Sequence, residues 1–209
     1  TLTVLDPLEE FPDAIFVEDP ALVFSEGAIV LRPGAPSREA EGDYLRPTLD
    51  ALFDRVLELP TGHADGGDVL VLPDKVLIGL SARTDQAGAD ALVALLAQLG
   101  YRGEVAATPK EVLHLKTASS LLDEETVLST RALAATGIFA GYRVIEVPEG
   151  EEGAANVLRV NDRVIAGAGH PGVLEALDKH GLNVVALPNS AIAAIDAGFT
   201  CMSLRWRAT

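Results

Sequence analysis

In "DVLVLPDKVLIGLS" (68–81) two short runs of Val, Leu and Ile meet at Pro73-Asp74. Apolar runs of this length, joined by residues that favour tight turns, read as a β-hairpin. The form recurs. "ALVFSEGAIVLRPG" (21–34) turns at Ser25-Glu26-Gly27, "SSLLDEETVLST" (119–130) at Asp123-Glu124-Glu125, and "NVLRVNDRVIAGAG" (156–169) at Asn161-Asp162. The segments after the hairpins are also alike. "TLDALFDRVLEL" (48–59) and "QAGADALVALLAQLG" (86–100) carry Leu, Val and Ala at helical spacing, the second stopping at Gly100. "TRALAATG" (130–137) and "HPGVLEALDKHG" (170–181) are shorter versions, again ending in Gly. A further strand comes next in "EVAAT" (104–108), "YRVIEV" (142–147) and "NVVAL" (183–187).

The unit is therefore hairpin, helix, strand, with a period of roughly forty to fifty residues. A unit this small cannot bury both faces of its sheet, so copies pack against one another. Four units plus the terminal pieces "PDAIFVED" (12–19) and "GFTCMSLRW" (198–206) make a ring with loop ends around a common centre. The alternative is an ordinary open α/β sheet. A dinucleotide-binding sheet is excluded, because no strand runs into G-x-G-x-x-G. No low-complexity linker divides the chain, so residues 1–209 read as a single domain.

Composition narrows the function classes. The 31 acidic residues against 16 basic ones give a formal charge of −15, which repels phosphate backbones and argues against a nucleic-acid partner. It mildly favours a cationic small substrate. A single cysteine excludes an internal disulfide framework and fits a reducing compartment, so the expected localisation is cytoplasmic. No apolar run approaches membrane-span length, so no membrane partner is expected. The chain begins at Thr1 without Met, and N-terminal residues are expected to be missing.

Four segments place polar residues where apolar strands would continue. They are "FPDAIFVEDP" with Asp13, Glu18 and Asp19; "GHADGGDVL" with His63, Asp65 and Asp68; "VLHLKT" with His114; and "IDAGFTCMSLR" with Cys201. Read as a strand, "VLHLKT" puts Leu113 and Leu115 on one side and the His114 imidazole on the other. Gly66-Gly67 allows another backbone to approach closely. A lone cysteine is as a rule a small buried hydrophobe, and a lone histidine a satisfied structural one. His, Cys and Asp together also suit zinc, but C-x-x-C and H-x-x-x-H spacings are absent, so no metal and no cofactor is expected.

Taken in order, "FVEDP", "DGGDVL", "LHLKT" and "CMSLR" resemble the dimethylarginine dimethylaminohydrolases of the guanidine-modifying superfamily, and "SARTDQAG" and "RPGAPSR" fit the same pattern. The resemblance runs from about Phe11 to Arg205. It implies a five-bladed α/β propeller of ββαβ units, the pentein fold, with the first unit incomplete at the N-terminus. It also implies hydrolysis of Nω-methylated arginines to citrulline and dimethylamine or methylamine, through a covalent thiouronium on Cys201. The family's nucleophile falls on Cys201 and its general acid/base on His114. Its guanidinium carboxylates fall on Glu18, Asp19 and Asp65, and its contacts to the amino-acid end on Asp13, Arg38 and Arg83, with a backbone contact at Ile195. The family's substrate-contacting leucine, on a mobile loop before the first motif, has no counterpart in these residues. The implied partner is a small methylated arginine, and a homodimer is compatible with it.

Three rival readings remain open at this point. An arginine deiminase would use the same residues and release ammonia. A ring-fold binding protein without this chemistry, as in a ribosome-binding translation factor, is the reading from another class. A catalytically impaired relative that still binds methylarginines is the third.

Overall fold

A computed structural model of the chain describes residues 2–207. Four copies of the unit are present. The first is β1 (Ala21–Phe24), β2 (Gly27–Val30), α1 (Glu41–Leu52) and β3 (Val56–Glu58). The second is β4 (Val69–Val71), β5 (Val76–Leu80), α2 (Gln86–Gln98) and β6 (Gly103–Ala107). The third is β7 (Ser119–Leu121), β8 (Thr126–Ser129), α3 (Arg131–Ala134) and β9 (Arg143–Glu146). The fourth is β10 (Leu158–Val160), β11 (Arg163–Gly167), α4 (Pro171–Lys179) and β12 (Asn183–Leu187), after which a single helical turn, α5 (Ser190–Ala193), leads to the C-terminal segment. Each unit is a separate three-stranded sheet, its hairpin antiparallel and its return strand parallel to the second hairpin strand.

Strand alternation shares the side chains of one sheet between two neighbours. On β2, Ile29 joins the apolar cluster shared with the second unit, while Ala28 and Val30 join the cluster that takes in Val17 and Leu204. On β5, Val76 and Ile78 face the first unit and Leu77 the third; on β8, Val127 and Leu128 divide between the second and fourth. A sheet buried on both faces selects continuous apolar strands, which is why "VLIGL" shows no polar alternation. Helix α2 lays Ala89, Leu92 and Leu96 into the first of these clusters. Its N-terminus is capped by the Asp85 carboxylate, which accepts from the Gly88 N–H at 2.7 Å.

Two stretches differ from the sequence expectation. The helical period read over 48–59 belongs to two elements. Leu45 and Leu49 bury one face of α1, which starts at Glu41, and Val56 begins β3, in register with Ala28. The return strand of the first unit is hidden in the helical period because "RVLEL" fits both periods. The terminal pieces form no strand; 12–19 is a series of turns and Cys201 lies in a turn.

The ring nevertheless closes at its centre, through hydrogen bonds from each unit's entry turn to the next. The Gly66 N–H reaches the Asp19 carbonyl at 3.0 Å, and the Leu115 N–H reaches Asp68 Oδ1 at 2.9 Å. Asn156 Nδ2 donates to the Lys116 carbonyl at 3.0 Å, and the Thr200 N–H donates to Asn156 Oδ1 at 3.0 Å. The Glu18 N–H then reaches the Cys201 carbonyl at 3.1 Å. The described residues thus form four complete units, the first of them included, and the C-terminal segment meets the N-terminal one between the fourth and the first. Among the described residues no helix is long and apolar enough to cross a membrane.

Candidate active site

The entry turns that close the ring also carry the chemistry. Glu18 and Asp19 precede β1, Asp65 precedes β4 and His114 precedes β7, while Cys201 lies in the C-terminal turn. A cavity of about 190 Å³ opens where they converge. The nine residues to which the resemblance assigns a part all line it: Asp13, Glu18, Asp19, Arg38, Asp65, Arg83, His114, Ile195 and Cys201; His63 and Asp68, from the same polar segments, do not.

His114 reaches the cavity by a route other than strand alternation. It caps a short 3-10 turn over Leu115–Thr117, with Leu115 fully buried and Leu113 45% exposed, so the two leucines do not share a face. The turn is anchored by Asp68, which accepts from the Leu115 N–H, from Ser81 Oγ at 2.6 Å and from Thr84 Oγ1 at 2.7 Å. Burial pushes the Asp68 carboxyl above the usual carboxylate range, although His114 and these donors pull against it. His114 Nε2 lies 3.1 Å from Asp65 Oδ2, and Asp65 Oδ1 accepts from the Gly34 N–H at 2.7 Å. Burial disfavours the imidazolium, but the bond to Asp65 and the charges of Asp19, Asp68 and Asp65 outweigh it, so the His114 pKa is raised.

Cys201 is shifted in the same direction, which for a thiol disfavours the charged form. Burial and the nearby charges of Glu18 and Asp19 raise its thiol pKa, while the Gly198 N–H, 3.4 Å from Sγ, and Lys116 lower it. Glu18 is 4% exposed, with Lys116 Nζ at 2.8 Å from Oε1, Thr200 Oγ1 at 2.8 Å from Oε2 and Arg205 at 3.6 Å. Asp19 accepts from the Gly67 N–H at 2.9 Å and from Arg38 Nη1 at 2.5 Å.

The two cavity arginines differ. Arg38 is 6% exposed, and its Nε and Nη2 go to Glu41 and to the Phe16 carbonyl while Nη1 holds Asp19. Glu41 and Asp19 together raise its pKa despite burial. Little of its donor fork is left for a ligand. Arg83 makes no side-chain hydrogen bond or ion pair among the described residues and is the cavity's available cation. Asp19, Asp65 and His114 each bring one donor atom within 4.8 Å of the others, a geometry a cation could use. Here the closeness results from the His114–Asp65 bond and from Arg38 and Gly67 on Asp19.

Sequence reasoning missed Lys116, Asn156, Thr200 and Glu41. Lys116 lies inside "LHLKT", two residues after His114. Asn156 opens the fourth hairpin just as Asp68 opens the second, a signal present in the repeat.

The sequence model of the arginine deiminase family matches residues 5–152. The chain is 39% identical to the N(G),N(G)-dimethylarginine dimethylaminohydrolase of Pseudomonas aeruginosa, over 98% of this chain and 81% of that protein. It is 36% identical to the enzyme of the same name from Streptomyces coelicolor, over 97% and 78%. A solved structure of a cysteine-to-serine variant of the Pseudomonas aeruginosa enzyme, with citrulline bound, superposes with a TM-score of 0.91 at 38% identity, covering 95% of this chain and 78% of that one.

Proposed function

The chain belongs to the dimethylarginine dimethylaminohydrolase family of guanidine-modifying enzymes, and on that footing we propose that it hydrolyses Nω-methylated arginines to citrulline and a methylamine. The observation that carries the reading is the convergence of a thiol, an imidazole and three buried carboxylates in one cavity.

Glu18, Asp19 and Asp65 receive the planar guanidinium through charge-assisted hydrogen bonds and turn its central carbon towards Sγ. The cation changes the thiol's surroundings. Burial and two carboxylates raise the Cys201 pKa; a bound guanidinium neutralises those charges and lets the proton leave to solvent. The thiolate attacks the guanidinium carbon. His114, whose protonated form Asp65 favours, gives its proton to the departing amine as the C–N bond breaks, leaving the thiouronium on Cys201. His114 then takes a proton from water, hydroxide adds to the same carbon, and C–S cleavage releases citrulline. Arg83 takes the substrate α-carboxylate, while Arg38 acts chiefly by holding Asp19. The reaction is placed in the cytoplasm, where the thiol stays reduced.

The match to the arginine deiminase model favours a second reading, release of ammonia from arginine itself. Incubation with asymmetric dimethylarginine, monomethylarginine and arginine, followed by citrulline detection, separates the two. Citrulline is expected from the methylated substrates, and Cys201→Ser should abolish it without unfolding the chain. Citrulline from arginine alone would refute the proposal.

A further inference from the structure

Every entry turn of the ring but one supplies a residue already given a part in the reaction; the fourth, ahead of β10, supplies Asn156. This side chain is 5% exposed and lines the same cavity. Its Oδ1 accepts from the Thr200 N–H at 3.0 Å. Its Nδ2 donates to the Lys116 carbonyl at 3.0 Å and to Thr200 Oγ1 at 3.1 Å, and lies 4.0 Å from Cys201 Sγ. Thr200 passes the link on, its hydroxyl donating to Glu18 Oε2 at 2.8 Å. One amide therefore touches the backbone of the His114 turn, the residue before the nucleophile and, through a hydroxyl, a guanidinium carboxylate.

We propose that Asn156 is a positioning residue of the reaction, its buried amide holding the Cys201 turn, the Glu18 carboxylate and the His114 turn in a common register. The inference deepens the hydrolase reading and rests on it for the roles of those three residues. Only an amide suits the place. A carboxylate would add a negative charge beside a thiol already facing Glu18 and Asp19, and an apolar side chain would leave the buried Thr200 N–H without its acceptor. The packing holds the amide from outside as well. A Cβ added at Gly198 would fall 2.2 Å from the Asn156 Cγ, so the glycine in the nucleophile's own turn is what admits the side chain.

Asn156→Ala and Asn156→Asp test this. Turnover of asymmetric dimethylarginine should fall about 10- to 100-fold in kcat, with a smaller change in KM, because misplacing reacting groups costs more in the transition state than in binding. Alkylation of Cys201 by iodoacetamide, followed by intact mass across pH, should shift its midpoint upward in both variants, further in Asn156→Asp. This readout needs no substrate, so it stands if the substrate assignment fails. Gly198→Ala, which displaces the amide without altering it, should shift the profile the same way. Thermal melts identify folded variants, and Gly198→Ala and Thr200→Val carry the test if neither Asn156 variant folds. A wild-type kcat and alkylation profile in the folded variants would overturn the proposal.

Discussion

Cys201 sits in a field that opposes its own ionisation, and the sign of that field is testable. Its raised pKa means that thiolate accumulates only as pH climbs past the ordinary thiol value of about 8.5. Alkylation of the free protein should accordingly show a midpoint above that value. After burial, Glu18 is the largest contributor. Glu18→Gln should move the midpoint down and speed alkylation at neutral pH, while weakening binding of the guanidinium; slower alkylation would contradict the electrostatic account. The upward shifts of both Cys201 and His114 explain how one site favours a protonated acid and a dormant nucleophile until a cation arrives. Cys201, His114 and the acids were legible in the sequence through ordered short motifs. Arg38 was legible as a cavity residue, but its near-saturation by Asp19 and Glu41 was not, because Glu41 opens a helix that the sequence reading started later.

At the scale of elements, the short turns ahead of the hairpins do the positioning. The second one, Gly66–Asp68, passes so close to its neighbours that its two glycine positions exclude side chains. A Cβ at Gly67 would lie 2.9 Å from both Asp19 Oδ1 and the His114 ring. Gly67→Ala should lower kcat/KM by about 10- to 100-fold, measured by citrulline formation. It should cost stability of only about 1–3 kcal/mol in urea titration, as overpacking does. Equal activity would mean that the turn relaxes freely. The hairpins, α2 and three return strands were readable because turn formers and apolar periods agree there. β3 was not, since five residues of "RVLEL" satisfy a helical period and a strand equally and only pairing with β2 decides between them. Strand alternation would set the His114 imidazole opposite Leu113 and Leu115; instead it reaches the cavity from a 3-10 turn held by Asp68.

Across the whole molecule, stability and chemistry occupy separate zones. Apolar clusters lie between adjacent units, and the polar cavity lies where the entry turns meet. Leu92, fully buried on α2, belongs to the first zone alone. Leu92→Ala should cost about 2–5 kcal/mol in urea unfolding. Its kcat should stay at the wild-type value wherever the protein is folded; a parallel loss of kcat would show that the zones are coupled.

The repeat, its period and the identity of the chemical groups are set by the order of residues, because hairpin turns, apolar runs and motif spacings are local properties that neighbours in the chain dictate. Which charges face one another is a different matter. That Lys116 pairs with Glu18 and that Asn156 joins Thr200 to the His114 turn depend on ring closure between residues as far apart as Glu18 and Thr200, and that Arg38 is consumed by Asp19 and Glu41 depends on the folding of the first unit. Burial and distance set those energies, and both exist only once the units have packed.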